Sequence, residues 1–230
     1  MTERTGDDAL IGGELLSASV KRLLMDRIMK GHYQPGERIV ELQVARELGT
    51  SQSPVREALR DLAAIGLVSI HSRKGARMRQ PTSKELADIS LVRSEIDALA
   101  ATTAAPLMDE DVLDQLREAY AEMQRHHAGG DHLAVTQADA RFHKIIATTS
   151  QNKAIEQVFD QLEPFARTFI TLTMPKADVG SIIGEHGAIL AALEDGDAAL
   201  AAACARQHQL NVSALFRDHF DAEPAEASAP

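Results

Sequence analysis

Apolar residues recur every three to four positions along most of the 230-residue chain, and this period constrains the fold more than any other feature. Beyond Pro81 the period is interrupted only by short breaks that contain Pro, Gly or Asn. Abundant Ala and Leu with few β-branched runs predict an all-α helical bundle here. The expected helices cover residues 86–105, 111–127, 133–148, 154–173, 182–194 and 198–220.

The pattern before Pro81 is different, because helical periodicity gives way to two short β-rich runs around Gly75. The helical segments that precede these runs cover residues 14–30, 40–48 and 51–65. This order of elements is typical of a winged helix-turn-helix: two helices, a tight turn, a third helix and a basic hairpin. In that fold the third helix enters the major groove of DNA. We therefore predict a mainly α protein with a small α+β domain, an N-terminal winged helix-turn-helix, followed by a C-terminal all-α bundle.

Charge is distributed unevenly along the chain. The whole sequence carries a formal net charge of -10, yet residues 14–80 hold 12 Lys or Arg and 7 Asp or Glu, whereas residues 81–230 hold 11 and 24. A local excess of cations suits contact with DNA phosphates, although an ordinary basic surface would look the same.

Several short motifs sharpen this interpretation. They are Pro35-Gly-Glu-Arg38, Leu48-Gly49, Ser53-Pro-Val-Arg-Glu-Ala-Leu59, Gly66-Leu-Val68 and Lys74-Gly75. In residues and spacing the N-terminal domain resembles GntR-family bacterial transcription regulators, and the all-α half resembles the ligand-binding (FCD) domain of the FadR-type branch. The resemblance implies a dimeric repressor or activator that is controlled by a small metabolite.

The resemblance also assigns DNA-binding residues. It places Gln52, Ser53 and Arg56 on the recognition helix and Gly75 at the tip of the wing, where Arg73 and Lys74 supply positive charge. Gln52 departs from the family, which usually has Arg at this position. An amide pairs with adenine rather than with guanine, so the operator base opposite Gln52 should differ.

Four residues of the helical half form a candidate metal site. Asp139 and His143 stand four residues apart, so both side chains project from one helix face and could bind one ion. His186 and His208 lie on two later helices beside apolar residues, although half-buried polar side chains would give the same pattern. The resemblance implies that all four are ligands, because metal-binding FadR-type domains have the same order of one Asp and three His.

Imidazole and carboxylate ligands suit a divalent transition metal rather than calcium. Zinc is our first expectation, with nickel, manganese and iron as alternatives. Cys204 lies four residues before His208 and offers a soft ligand, or else a small buried thiol.

Two further residues are candidates for contact with an effector. The resemblance implies that Arg93 points toward the bound effector, where its guanidinium would hold a carboxylate together with the metal. An ion pair between Arg93 and Asp97 on the helix surface is the alternative. Asn211, three residues after His208, is a candidate hydrogen-bond donor to the same effector.

These observations predict a metabolite-responsive DNA-binding transcription regulator that binds a small carboxylate through a divalent metal and Arg93. A regulator that senses the metal ion itself is one alternative, and a His/Asp metallohydrolase is another. No spacing selects a general acid or base beside the metal, so we expect no enzyme. The expected partners are double-stranded operator DNA, a small organic acid and, from the resemblance alone, a second copy of the chain.

The predicted organisation is a flexible segment over 1–13, the winged helix-turn-helix over 14–80, an effector-binding and dimerisation domain over 81–221, and a disordered tail over 222–230. A single Cys excludes an internal disulfide and indicates a reducing compartment, which makes the cytoplasm the expected location. No apolar run is long enough to span a bilayer, so we expect no membrane partner.

Overall fold

The computed structural model describes residues 6–71, 74–173 and 179–221. The chain divides into two compact units between Gln80 and Pro81. The elements of the first unit are α1 (Gly6–Met29), β1 (Arg38–Ile39), α2 (Glu41–Glu47), α3 (Gln52–Ala64), β2 (Val68–His71) and β3 (Gly75–Met78). Those of the second are α4 (Ser83–Ala104), α5 (Glu110–Ala128), α6 (His132–Thr149), α7 (Lys153–Thr173), α8 (Gly180–Glu194) and α9 (Ala198–Asp221).

The first unit confirms the predicted winged helix-turn-helix. Helices α1, α2 and α3 precede an antiparallel sheet of order β1-β3-β2, in which β2 and β3 form the predicted hairpin. The third strand, β1, was missed in the sequence, because two residues are too short to show the alternation that marks a strand. Helix α3 buries Val55, Leu59 and Leu62 on one side, which leaves its opposite side for contact with a partner.

Helix α1 begins at Gly6, so residues 6–13 are helical, whereas a flexible segment was expected over 1–13 from the sequence. The predicted disordered tail over 222–230 and the wing residue Arg73 lie outside the described residues.

The second unit confirms the predicted all-α bundle. Its core contains many Ala side chains with Leu, Ile and Phe, so the helices approach closely around a few large groups, of which Phe142 and Phe216 are almost completely buried. Helix α4 starts at a capping box, in which the Thr82 hydroxyl accepts from the Glu85 N–H and the Glu85 carboxylate accepts from the Thr82 N–H. Among the described helices, none combines the length and apolar character that a membrane span requires.

Candidate metal centre

Three helices of the second unit bring the four predicted ligands to one place. Helix α6 carries Asp139 and His143, α8 carries His186 and α9 carries His208. One ligand atom from each residue lies within 4.8 Å of every other. The three imidazoles are buried, and the Asp139 side chain keeps about a third of its surface (32%) exposed. Among the described residues this is the only group of His, Cys, Asp and Glu with such spacing, and Cys204 is not part of it.

The distances within the cluster fit the binding of one metal ion. Nε2 of His186 lies 3.2 Å from Nε2 of His143 and 3.1 Å from Oδ1 of Asp139. Two nitrogen ligands of a tetrahedral zinc ion are separated by about 3.3 Å when each Zn–N bond is about 2.0–2.1 Å. The donor set of three imidazoles and one carboxylate therefore fits a transition metal in both chemistry and spacing.

The other nitrogen of each imidazole faces a hydrogen-bond acceptor or a carboxylate. Nδ1 of His186 lies 3.2 Å from the carbonyl oxygens of Ile182 and Ile183. Nδ1 of His208 lies 3.0 Å from Oε2 of Glu185, and Nδ1 of His143 lies 3.5 Å from Oδ2 of Asp97. These arrangements favour the tautomer with a proton on Nδ1, which leaves the Nε2 lone pair for a metal.

The protonation states of the cluster also favour the binding of a cation. Burial lowers the pKa of His143 well below its usual value, even though Asp139 opposes the shift. Burial, aided by the nearby His186, also lowers the pKa of His208, so both rings are neutral near pH 7. Burial acts to raise the pKa of Asp139, but the close contact with His186 and the other neighbouring imidazoles outweigh it and hold that pKa below its usual range. His143 and His208 thus offer neutral imidazoles and Asp139 an ionised carboxylate, the forms in which these groups bind metals.

A small cavity of about 60 Å³ lies beside the cluster, and Asp139 and His208 form part of its wall. Arg93 and Gln209 supply other polar groups of the lining, and apolar side chains such as Phe216 complete it. A cavity that joins metal ligands, a guanidinium and apolar walls is suited to a small anion with a short carbon chain.

Arg93 takes part in a buried ion pair rather than a surface one. Its guanidinium lies 3.5 Å from Asp97, and each residue is only 5% exposed. The guanidinium Nε has no hydrogen-bond partner among the described residues, and Arg93 is one of the residues that line the cavity. Burial raises the pKa of Asp97, although Arg93 and Gln209 oppose the shift.

The structure does not support direct contact of Asn211 with an effector. Its Nδ2 donates to Oε1 of Glu185 at 2.6 Å, its Oδ1 accepts from Gln207, and it is not among the residues that line the cavity. A helix turns about 100° per residue, so Asn211 and Gln209 leave α9 on opposite sides of His208. Asn211 therefore supports Glu185, and Gln209 takes the position in the cavity wall.

In the first unit, the predicted DNA-binding residues that the structure describes lie on the exposed side of α3 and at the wing. Gln52 and Ser53 are exposed in the first turn of α3. Arg56 is half exposed and lies 3.0 Å from Glu41 of α2, which holds its guanidinium in place. Lys74 is exposed, and Gly75 adopts φ +80°, a left-handed conformation that favours glycine.

Several polar residues of both units were not predicted from the sequence. Arg38 of β1 and Arg77 of β3 are exposed and directly opposite each other across the sheet, an arrangement that an anion would stabilise. Glu185 and Gln209 were missed because their role depends on helix neighbours that only the fold supplies. The 3.6-residue period of α9 could have indicated that Gln209 faces α4, but it could not have indicated its partner there.

Comparison with known proteins gives two family matches. Residues 88–211 match the FCD domain, and residues 16–78 match the family described as bacterial regulatory proteins, gntR family. A probable D-xylose utilization operon transcriptional repressor of Paenarthrobacter nicotinovorans is 28% identical over 186 residues, which are 81% of this chain and 82% of that protein. The HTH-type transcriptional regulator LutR of Bacillus subtilis is 28% identical over 216 residues, which are 84% of this chain and 98% of LutR.

Solved structures show the same fold. McbR/YncC of Escherichia coli superimposes with a TM-score of 0.74 at 23% identity, covering 89% of this chain and 98% of that one. A putative transcriptional regulator from Rhodococcus sp. RHA1 superimposes with a TM-score of 0.77 at 23% identity, covering 88% and 97%.

Proposed function

This chain belongs to the GntR family of DNA-binding transcription regulators with an FCD effector domain, and from this premise we propose that its FCD domain binds a divalent metal and, through it, a small carboxylate. Both families and the named relatives are regulators of transcription, so the protein is not an enzyme and the metallohydrolase alternative is wrong. Membership of the FadR-type branch, a homodimeric state and a cytoplasmic location are parts of the proposal.

One observation carries the proposal: Asp139, His143, His186 and His208 present ligand atoms within 4.8 Å of one another although they come from three helices. Each of the three buried imidazoles has an acceptor or a carboxylate at Nδ1, which leaves the Nε2 atoms available to share one ion. Four protein ligands fill a tetrahedral ion, whereas an octahedral ion keeps two positions for the oxygens of a carboxylate. Zinc is the first candidate, and nickel, manganese and iron are the others.

The carboxylate would bind between the metal and Arg93. Arg93 lines the same cavity as the predicted ligands Asp139 and His208, so its positive charge lies near the place that the metal would take. An anion held by a divalent ion and a guanidinium gains two charge-assisted contacts in a site from which water is largely excluded. The carboxylate would thereby connect α4, which carries Arg93, with α6, α8 and α9, which carry the metal ligands.

In the first unit, we propose that Gln52, Ser53 and Arg56 contact operator bases or backbone and that Arg73, Lys74 and Gly75 also contact the operator. A two-fold dimer would bind a palindromic operator whose half-sites are related by the same axis. Effector and operator would then affect each other's affinity by the same factor.

Elemental analysis by plasma mass spectrometry tests the metal site. Untagged wild-type protein should contain close to one transition-metal ion per chain, and Asp139→Ala and His186→Ala should lose it. His132→Ala, on the same helix as Asp139 but outside the cluster, is the matched control and should keep the metal. A wild-type protein that stays metal-free after reconstitution would remove metal-assisted sensing, while the family assignment would stand.

Titration of metal-loaded protein with carboxylates separates effector sensing from metal sensing. If the carboxylate binds through the metal, His143→Ala should weaken both metal and carboxylate binding. Carboxylate affinity that persists in metal-free His143→Ala would contradict this mechanism. DNA affinity that responds to the ion alone, and to no carboxylate, would favour the metal-sensing alternative.

A further inference from the structure

One face of the sheet in the first unit carries two arginines directly opposite each other. The register pairs Arg38 of β1 with Arg77 of β3, and Arg77 with Ser69 of β2. Directly opposite residues of antiparallel strands point to the same side of a sheet. The neighbouring pair, Ile39 with Ala76, is buried, so the face that carries the arginines points away from the core.

No carboxylate balances this pair of charges within the part of the chain that the structure describes. Arg38 is exposed and has no ion pair there, and the Arg77 guanidinium donates to the carbonyl oxygen of Gly36 at 3.0 Å. Glu37, the acid next to Arg38, accepts instead from the backbone N–H of Gln34 at 2.9 Å. The Cα atoms of opposite residues lie about 4.5–5.5 Å apart, and like charges in such a pair destabilise the sheet. An anion bound to both guanidinium groups would remove this repulsion.

The Arg38 guanidinium extends to the tip of the wing. A Cβ added to Gly75 would lie 3.7 Å from both Nε and Nη2 of Arg38, so the guanidinium covers this glycine. Lys74, the residue before it, is exposed. Arg38 and Arg77 therefore add their charges to that of the wing, although β1 precedes both α2 and α3 in the chain.

We propose that Arg38 and Arg77 bind the phosphate backbone of DNA, so that the DNA-binding surface includes β1 as well as α3 and the wing. The inference rests on the proposed contact between the wing and the operator, because the Arg38 guanidinium lies at Gly75. Guanidinium groups fit phosphate oxygens through two parallel hydrogen bonds.

The partner of this surface is a polyanion rather than a single small anion. Its cations come from two strands and from the wing, so they follow an extended surface and do not converge on one point. A DNA duplex presents one negative charge about every 3.4 Å along each strand, which supplies a separate phosphate for each cation. Contacts to phosphate position a protein on DNA without reading its sequence, so Arg38 and Arg77 should strengthen binding to every duplex equally.

Fluorescence anisotropy on the full-length protein tests the inference. Two labelled duplexes of equal length, one of A·T pairs and one of G·C pairs, are titrated between about 50 and 200 mM salt. Arg38→Ala should reduce the slope of log affinity against log salt by about 0.9 per bound chain, and Arg38→Ala/Arg77→Ala by about 1.8. The reduction should be the same on both duplexes.

Two further variants separate charge from structure. Arg38→Lys keeps a positive charge at the same position and should keep most of the wild-type slope. Arg125→Ala, which removes an exposed guanidinium from the second unit, is the matched control and should leave the slope unchanged. Circular dichroism shows whether each variant is folded.

A wild-type slope in folded Arg38→Ala would overturn the inference. A loss confined to the A·T duplex would also overturn it, because Arg38 would then read a narrow minor groove rather than a phosphate. Lys74→Ala distinguishes the inference from the proposed function. If Lys74→Ala lowers the slope and Arg38→Ala does not, only the inference fails, whereas an unchanged slope in both variants removes the proposed wing contact as well.

Discussion

Glu185 is the residue whose removal should reveal how the surrounding protein prepares His208 for a metal. Its carboxylate accepts from Nδ1 of His208 at 3.0 Å and from Nδ2 of Asn211 at 2.6 Å. Although burial opposes the shift, these hydrogen bonds hold the pKa of Glu185 below its usual range, so the group is ionised near pH 7. An ionised acceptor fixes the His208 tautomer with the proton on Nδ1 and leaves Nε2 for the metal.

The expected size of the effect follows from this contact. Removing a carboxylate that orients a metal-binding imidazole typically reduces metal affinity 10- to 100-fold, which corresponds to about 1.4–2.7 kcal/mol. A hydrogen bond to a charged group contributes about 1.5–3 kcal/mol, an independent estimate of the same size. Glu185→Ala should therefore weaken zinc binding 10- to 100-fold. Glu185→Gln should have a smaller effect, because its single amide oxygen still accepts one hydrogen bond.

Competition with a chromophoric zinc chelator measures these affinities. Glu118→Ala, which removes an exposed carboxylate from α5, is the matched control and should bind zinc as the wild type does. His208→Ala removes the ligand itself and should lose more affinity than Glu185→Ala. Wild-type affinity in Glu185→Ala, with the fold intact by circular dichroism, would refute the argument that Glu185 orients the imidazole.

Other predictions concern the buried charge on α7, the glycines of α8 and the wing. Burial raises the pKa of Glu163, so the native state holds this proton more tightly than the unfolded chain and loses stability as pH rises through the native pKa. The Tm of Glu163→Gln relative to wild type should accordingly be higher at pH 7 than at pH 4, and a pH-independent difference would be contrary to this reasoning. Gly184 has open space where a Cβ would lie, so Gly184→Ala should raise the free energy of unfolding, measured in urea, by about 1 kcal/mol. Gly187→Ala should gain less, because the new Cβ would lie 2.9 Å from Oη of Tyr120, and equal gains would show that this contact is not tight. Lys74→Ala should reduce the slope of log affinity against log salt on duplex DNA by about 0.9 if the wing contacts a phosphate, whereas Lys153→Ala, an exposed control on α7, should leave the slope unchanged.

The features that the sequence predicted correctly are those that depend only on residues close together in the chain. The 3.6-residue period located the long helices of both units, and the four-residue spacing placed Asp139 and His143 on one face of α6. The turn at Gly75 was predicted for the same reason, because its φ of +80° favours a residue without a Cβ. Each of these features is determined by residues within one or two helical turns or within one tight turn.

The sequence could not predict contacts between distant segments. Gln209 meets Asp97 across 112 positions of the chain, and Glu185 meets His208 across 23, because α4 and α8 both pack on α9. The side chain of Asn211 was assigned to the cavity from its spacing to His208 alone, yet the position of Glu185 directs it elsewhere. Packing between helices, rather than the pattern within one helix, decides which polar group lies in the cavity wall.

X-ray absorption at the zinc edge of the reconstituted protein tests the central claim most directly. We expect a first shell of nitrogen and oxygen atoms at about 2.0–2.1 Å, with multiple scattering from three imidazoles. His208→Ala should reduce the imidazole contribution to two rings. A first shell without imidazole scattering, or one that contains the sulfur of Cys204 at about 2.3 Å, would contradict a metal centre built from Asp139, His143, His186 and His208.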